Sequence, residues 1–478
     1  MNMEVNRSVR VSEGPDGIDL LEREIHDAVS GMIQQIRGES SGLTLLRFER
    51  LLWPGICLLY RLLVAIFLAT RHNELDVEAH SQGVWRVKNS FAIRNLKTQL
   101  GIVQYGRAYL TRRNGGGWFP LDAALGITSD GYSWRVVDTV TRLATRVSYG
   151  ATRGIAKAIL GWSPSIESIE LLVIGLGARA PAFVETHGRL EDDGEVLVIE
   201  LDGKAAPMAT DSELKARRQK RKRKKCKSND SCKCQRHRGR KKRKGKRKKP
   251  RKRGNNSKNG RSATLVAMYT LRKMDDGKLH GPINKKVWGK FGPRNDMMTW
   301  VREQATRRGF GPDTNKTIQV VIDGEPCLRK RMQELFPHAI FTLDIRHPQE
   351  RLWKLGRLFH NEGSAELDAW IAPLNTLLLD GKIDRLLERL QDIHASIAKR
   401  GPGTKAKRNA VATEIKYLEK RQDMMDYANW RKQDLVMATG VIEGACRYVI
   451  GERLDCSGMR WCQVGAERLL QLRCIELN

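Results

Sequence analysis

Acidic residues are in short supply here: 54 Asp and Glu stand against 86 Lys and Arg, leaving a formal charge of +32 over 478 residues. That deficit says nothing about fold. It points to a polyanionic partner, of which nucleic acid is the commonest, with a membrane surface as the rival. An apolar leader is also missing: MNMEVNRSVRVSEGPDG holds no hydrophobic core, so the sequence predicts a cytoplasmic, nucleoid-associated protein. Nor is there a regular cysteine framework. The nine cysteines are odd in number and scattered, as suits a reducing compartment. A clean membrane span is absent too. The one run of sufficient length, Leu51–Thr70, carries Arg61 at its middle and Pro54 near its start, and Arg47, Arg50 and Arg71 flank it without one-sided bias. A central arginine is costly in a bilayer, so the run predicts an amphipathic or buried helix pair and no membrane partner.

What is present suffices for two or three domains with a real core, since 40% of residues are hydrophobic. Residues 1–16 read as a disordered leader. From 17 to 180 the pattern is helical, with apolar residues at three- and four-residue spacing in Ile18–Ile36, Leu43–Leu68 and Val136–Val147 and a break at Asn114–Gly117. Within 151–178, TRGIAKAIL, a turn at Gly161-Trp162 and a second run opened by Ser163-Pro-Ser165 outline a helix-turn-helix; an ordinary helical hairpin has the same outline.

At Glu195 the texture changes. Val196–Leu201, Thr264–Leu271, Thr317–Ile322 and Ala339–Leu343 are β-type runs, and three of them end in Asp202-Gly203, Asp323-Gly324 and Asp344. Helical segments at Asn295–Arg308 and Pro326–Leu335 alternate with them, which predicts an α/β domain with a partly parallel sheet. Residues 350–437 are helical throughout. The interval 215–262 interrupts the first two strands: Lys215–Arg253 holds 25 Lys and Arg and one acid, Asp230. Such a block cannot bury a core and predicts a disordered loop that attracts phosphate without reading sequence, through clusters such as Lys222, Arg223, Lys224, Lys225 and Lys241, Lys242, Arg243, Lys244. Within it Cys226, Cys232, Cys234 and His237 have the spacing C-x5-C-x-C-x2-H; they are four soft ligands of the kind zinc takes, or solvated thiols, with no apolar residues to build a mini-domain.

Two strands ending in Asp-Gly have a chemical reading. Neighbouring parallel strands present their C-terminal ends at one sheet edge, where ligands bind. Asp202 and Asp323 then face one site, and paired carboxylates repel unless a cation neutralises them. Hard oxygen donors suit Mg2+ or Mn2+, and a third carboxylate from a helix completes a two-metal site for in-line phosphoryl displacement. Each Asp-Gly alone is an ordinary turn.

The blocks VLVIELDG, VVIDG with LFPHAIFTLDIRHPQERLW, and TGVIEGACRYVIGERLDCSGMRW together resemble the DDE transposases of bacterial insertion sequences, most of all the ISKra-type group related to the Mutator-like branch. The resemblance runs from 196 to 478 and extends more weakly through TQLGIVQYGRAYL and FPLDAALGI. It implies an RNase H-like catalytic core at 195–478 with an all-helical insertion, behind a mainly helical DNA-binding region. It also implies that Asp202, Asp323 and Glu443 form the catalytic, metal-holding triad. Asp344 and His347 match the family's D/C-x-x-H motif and are expected to support the site by orienting its edge, with Asp344 a rival metal ligand and His347 a candidate phosphate or metal contact. Arg447, Arg453 and Arg460 are candidate phosphate contacts, although Glu443 and Arg447 at i,i+4 also suit a surface ion pair. The implied partners are the element's terminal inverted repeats, target DNA and a second copy of the chain. A non-catalytic DNA-binding derivative and an RNase H-like nuclease or resolvase are the alternatives.

Overall fold

Apolar spacing of three and four gives the first part of the chain its helices, and short alternating runs give it strands that the spacing hides. The computed structural model describes residues 9–10, 16–39, 42–81, 86–89, 91–111, 116–186, 193–210, 212–214, 260–311, 314–456 and 459–477. They fall into two units, Met1–Val173 and Ile174–Asn478.

In the first unit, strand β1 (Val9–Arg10) precedes helices α1 (Asp16–Glu39) and α2 (Leu45–Ser81). Leu21 of α1 packs with Leu62, Ala65 and Leu68 of α2, and Met32 lies against Gly55, so the two helices form an antiparallel hairpin. The run around Arg61 is therefore one continuous helix through Pro54, rather than the pair of helices expected within it. Arg61 is 1% exposed and abuts Gly101, where φ is +124°. By length and composition alone, Leu45–His72 is the one stretch among the described residues that can cross a membrane, and 28% of its most apolar window is buried.

Residues 86–118, expected to be helical, instead form β2 (Arg86–Asn89), β3 (Arg94–Thr98), β4 (Gly101–Tyr105), β5 (Tyr109–Thr111) and β6 (Gly117–Trp118). The strict alternation of burial in β4 is a period of two, not 3.6. Strands β1, β4 and β3 make one small sheet and β2, β5 and β6 another. Asp122 of α3 (Pro120–Ala124) accepts hydrogen bonds from Arg94, Arg107 and Tyr105 and ties these strands together. Helices α4 (Trp134–Arg146), α5 (Tyr149–Leu160) and α6 (Ile166–Gly177) follow, the last crossing the unit boundary. Gly161 closes α5 in the left-handed region, φ +76°, and the Ser165 hydroxyl accepts from Ser168 N at 3.0 Å at the start of α6, so a turn joins two helices here.

The second unit begins with α7 (Ala180–Thr186) and is built on β7 (Val196–Pro207), β8 (Gly260–Lys273), β9 (Leu279–Phe291), β10 (Thr317–Ile322) and β11 (Ile340–Leu343). Their order is β11-β10-β7-β8-β9; β7, β8 and β9 are antiparallel neighbours, whereas β10 is parallel to both β7 and β11. Positions 196–201 of β7 are all buried, the mark of a strand covered on both faces. Sequence reading gave four of these strands and missed β9, whose Lys- and Gly-rich LHGPINKKVWGKF lacks an apolar alternation. β7 also runs on through Asp202 to Pro207, because β8 continues to pair with it after β10 has stopped. The basic interval ends before Gly260, where β8 begins; 215–259 lies outside the described residues.

Helix α8 (Arg294–Arg307) precedes β10, and α9 (Pro326–Leu335) joins β10 to β11. A helical block then follows: α10 (Arg346–Gly356), α11 (Ala365–Leu379), α12 (Ile383–Ser396), α13 (Thr404–Glu419) and α14 (Tyr427–Lys432). The chain returns to the sheet as α15 (Gly440–Ala445), a π turn at Cys446–Gly451, and α16 (Gln463–Glu476).

At the end of the sheet where β7 begins, Asp193 accepts from Arg308 Nε (2.9 Å) and Nη2 (2.7 Å), from Asn284 (3.1 Å) and from Thr270 (3.1 Å). Burial pushes this carboxyl up, but the hydrogen bonds from Arg308 and Asn284 prevail and hold it below its ordinary range. Its stabilisation is present above the ordinary aspartate pKa and is lost as pH falls through the depressed folded value. Asp193→Asn, which leaves Arg308 buried without its counter-charge, is expected to cost about 3–5 kcal/mol in urea unfolding at neutral pH. The loss should shrink in acid; a cost that does not change with pH contradicts this account.

Candidate active site

The parallel pairing of β7 with β10 is registered Val320↔Ile199 and Val321↔Glu200. The pairing stops there: Asp323 lies just past the end of β10, two residues beyond its last paired position, and Asp202 lies two residues beyond Glu200 in β7. Strand β11 is registered Ile322↔Leu343, so the next residue, Asp344, neighbours Asp323 on its other side. Asp323 and Asp344 thus follow the ends of β10 and β11, while Asp202 lies within β7, past the point where its pairing with β10 stops.

Local turns explain why two of these strands stop there. Asp323 Oδ1 accepts from Glu325 N at 3.0 Å, and Asp344 Oδ1 accepts from Arg346 N at 3.0 Å. In each case the side chain replaces the next ladder bond and turns the chain into a helix. Gly324 sits at φ +76°, and a Cβ there would collide with the Arg421 side chain. The aspartates nonetheless differ in exposure. Asp202 and Asp323 are half-buried, whereas Asp344 is fully buried and its Oδ2 accepts from the Thr439 hydroxyl. Asp344 therefore braces the turn ahead of Glu443, and its carboxylate has no open approach.

Glu443 lies on α15, half-buried, beside the buried face of Ile442, Cys446, Val449 and Leu454. Two contacts fasten this helix to β7. Ile442 N donates to Glu200 Oε2 at 2.7 Å, and Cys446 Sγ donates to Asp202 Oδ2 at 3.3 Å. Glu200 is wholly buried and also accepts from the Tyr269 hydroxyl at 2.6 Å. Burial pushes its carboxyl up to about 7; the hydrogen bonds from Tyr269 and Ile442 oppose that shift, and the charges of Asp344 and Glu443 add to it. The Cys446 thiol is pushed up as well, by burial and then by Asp202. Beyond Ala445 the helix widens into the π turn, a feature frequent at functional sites.

The helical block reaches the same edge. Tyr417 donates its hydroxyl to Asp323 O at 3.3 Å, and Arg421 Nε donates to Gly324 O at 2.8 Å. The Arg351 and Arg421 guanidinium groups lie 3.5 and 3.9 Å from the Tyr417 ring centre, and Arg351 is held by Glu414 at 2.6 Å. A cation–aromatic stack thereby grips the loop that carries Asp323.

Glu443 pairs with Arg346, not with Arg447. Arg447 is 83% exposed, 3.9 Å from Glu452. Arg460 is exposed, with Nη1 2.6 Å from Met459 O. Arg453 corrects the expectation of a phosphate contact: it is 1% exposed, stacked 4.9 Å from the Trp461 ring centre, with Nη1 3.3 Å from Met459 Sδ. His347 is half-buried at the first turn of α10, its N–H donating to Asp344 O at 3.0 Å. Cys226, Cys232, Cys234 and His237, and the basic clusters at 222–225 and 241–244, lie outside the described residues.

Glu200, Thr439, Tyr417, Arg421 and Arg346 were not singled out by sequence. Glu200 alone carried a signal, as one acid inside an apolar run two residues from Asp202, which is the same face of the strand. As for a metal, the oxygen donors of Asp202, Asp323 and Glu443 match Mg2+ or Mn2+ in type. Their spacing is not that of a closed site: among the described residues no three His, Cys, Asp or Glu side chains gather closely enough to hold an ion, with Glu443 drawn to Arg346 and Asp202 to Cys446.

Two substitutions probe the supports. Tyr269→Phe withdraws a donor from a buried carboxylate and is expected to cost about 1–3 kcal/mol in chemical denaturation. Gly324→Ala forces a left-handed backbone on a residue with a Cβ, about 1–2 kcal/mol, and adds the displacement of Arg421. Neutral stability for both variants contradicts the contacts as described. No protein-family model matches the chain, and no curated protein matches it.

Proposed function

We propose that this chain is a DNA transposase of the DDE type, a metal-dependent polynucleotidyl transferase with Asp202, Asp323 and Glu443 as its catalytic carboxylates on an RNase H-like core. The observation that supports the reading is the register: Asp202 and Asp323 each lie two residues beyond the last paired position, Glu200 and Val321, of the adjacent parallel strands β7 and β10, and the helix bearing Glu443 is fastened to β7 there. Counted from β7, the first aspartate lies on the first strand, the second follows the fourth, and the glutamate comes from a late helix beyond a helical block. That order and the sheet arrangement β11-β10-β7-β8-β9 support an RNase H-like core, and the sequence blocks described above support the transposase reading.

Bound Mg2+ or Mn2+ would polarise the phosphoryl oxygens and lower the pKa of the attacking water. The protein's own part is positional. Asp202 and Asp323 would supply the oxygen donors; Tyr417 and Arg421 fix the Asp323 loop; Glu200 fixes the Glu443 helix. Arg346, exposed and paired with Glu443, becomes available to a DNA phosphate once Glu443 turns inward. Hydrolysis at the element end liberates a 3′-hydroxyl, which then attacks the target phosphodiester by the same in-line path. DNA ends bind through the N-terminal helices. Helix α6 has Glu167 and Glu170 and no Lys or Arg, so phosphate contact falls to exposed Arg135, Arg142 and Arg146 of α4 and to Arg153 and Lys157 of α5. The basic interval 215–259 adds sequence-blind attraction that weakens steeply with salt.

A second reading, a DNA-binding protein without catalysis, is favoured by one observation: the carboxylates are not gathered into a closed metal cluster among the described residues. Strand cleavage and joining on labelled DNA carrying the flanking element ends separates the two. The expected result is metal-dependent joining by the parent chain, retained in Asp344→Asn. Asp202→Asn, Asp323→Asn and Glu443→Gln should each lose at least ~10³-fold, about 4 kcal/mol of barrier. Hydrolysis without joining points to a nuclease or resolvase, and binding without cleavage by the parent chain overturns the catalytic reading.

A further inference from the structure

We infer that the chain dimerises through the outer face of the α1–α2 hairpin, with a second copy packed antiparallel across α2. Helix α2 carries apolar residues beyond its buried side. One side, with Cys57, Leu62, Ala65 and Leu68, is buried against α1 and the β4 sheet, and Arg61 belongs to this inner side. Another side carries Leu46, Trp53, Ile56, Tyr60, Leu63 and Phe67, a stripe at spacings of seven, three, four, three and four; Tyr60 is half-buried and the other five are exposed, Leu63 by 59%. Alternating steps of three and four form the seam of a left-handed helix pair, and this seam spans about 30 Å at 1.5 Å per residue. A helix apolar all round is ordinarily covered all round.

Charge selects the occupant. Exposed acids dominate the first half of α1, Asp19, Glu22, Glu24 and Asp27 against Arg23, whereas the turn end of the hairpin exposes Arg37, Arg47 and Arg50 against Glu49. An anionic lipid surface or a nucleic acid meets the wrong sign along half of this hairpin. A second copy placed by a two-fold axis near Tyr60 sets each acidic end over the partner's basic end, so one patch complements itself. The hairpin carries ten large apolar side chains, each 37–72% exposed. Five of them, Leu46, Trp53, Ile56, Leu63 and Phe67, lie on the α2 stripe. A bilayer span is disfavoured by the same helix, since its inner face is already packed on a β-sheet.

The inference deepens the proposed function, which needs two DNA ends held together, but it rests on the hairpin and its readout is mass. Sedimentation velocity on the nuclease-treated full chain is expected to show a dimer, tighter at low salt. Trp53→Glu combined with Leu63→Glu should give a monomer with unchanged far-UV circular dichroism. If that variant does not fold, Leu63→Ala with Phe67→Ala should raise the dimer Kd at least ~10-fold. Asp323→Asn should remain dimeric, which separates loss of assembly from loss of catalysis. A monomeric parent chain, glutamate variants that fold and stay dimeric, or a monomer that co-sediments with neutral phosphatidylcholine vesicles overturns the inference.

Discussion

Carboxylates crowd one end of the β7–β10–β11 strand group, and their mutual repulsion is the constraint that the surrounding structure answers. Glu200 is met by the Tyr269 hydroxyl and the Ile442 amide, Asp344 by the Thr439 hydroxyl and the Arg346 amide, and Asp323 by the Glu325 amide. Glu443 is met by the Arg346 side chain, and Asp202 by the Cys446 thiol and the Gly203 amide. The supports divide by burial. Glu200 and Asp344 are closed off and act as struts; Asp202, Asp323 and Glu443 keep partial exposure and hold partners that a cation or a phosphate can displace.

The helical block between α10 and α14 has a physical role in the same scheme. It separates Asp323 from Glu443 in sequence, yet Tyr417 and Arg421 bring it back to the Asp323-Gly324 turn. The glycine is needed on two counts, a left-handed backbone and the space filled by Arg421. The chain then passes through Thr439, bonded to Asp344, before reaching Glu443, so the entry and exit of the block are both tied to the sheet edge. Arg473 of α16 donates to Val449 O at 2.7 Å and secures the π turn from the other side.

Much of this arrangement was legible in the residues, and the failures have identifiable causes. The apolar runs at 196–201, 264–271 and 317–322 coincide with β7, β8 and β10 because strands buried on both faces are nearly unbroken in Val, Ile and Leu. Strand β9 was hidden by lysines and glycines whose pairing is set by its neighbour β8, and β2–β6 were hidden by their shortness. Within the site, the placement of Asp202 and Asp323 just past the last positions paired between β7 and β10 followed from the apolar runs that precede them. Arg421 and Thr439 did not, since contacts across ninety or more positions leave no local trace. Arg453 misled because a basic residue near a candidate site reads as a surface charge; only the structure shows its stacking on Trp461.

The central claim is that Asp202, Asp323 and Glu443 serve one divalent-cation site while Asp344 braces it from behind. Electron paramagnetic resonance titration of the full chain with Mn2+ tests it without any requirement for DNA substrate or turnover. The account predicts saturable Mn2+ binding that Asp202→Asn and Asp323→Asn each abolish, that Glu443→Gln weakens, and that Asp344→Asn leaves at the same stoichiometry. Binding that is unchanged by Asp202→Asn and Asp323→Asn would contradict it.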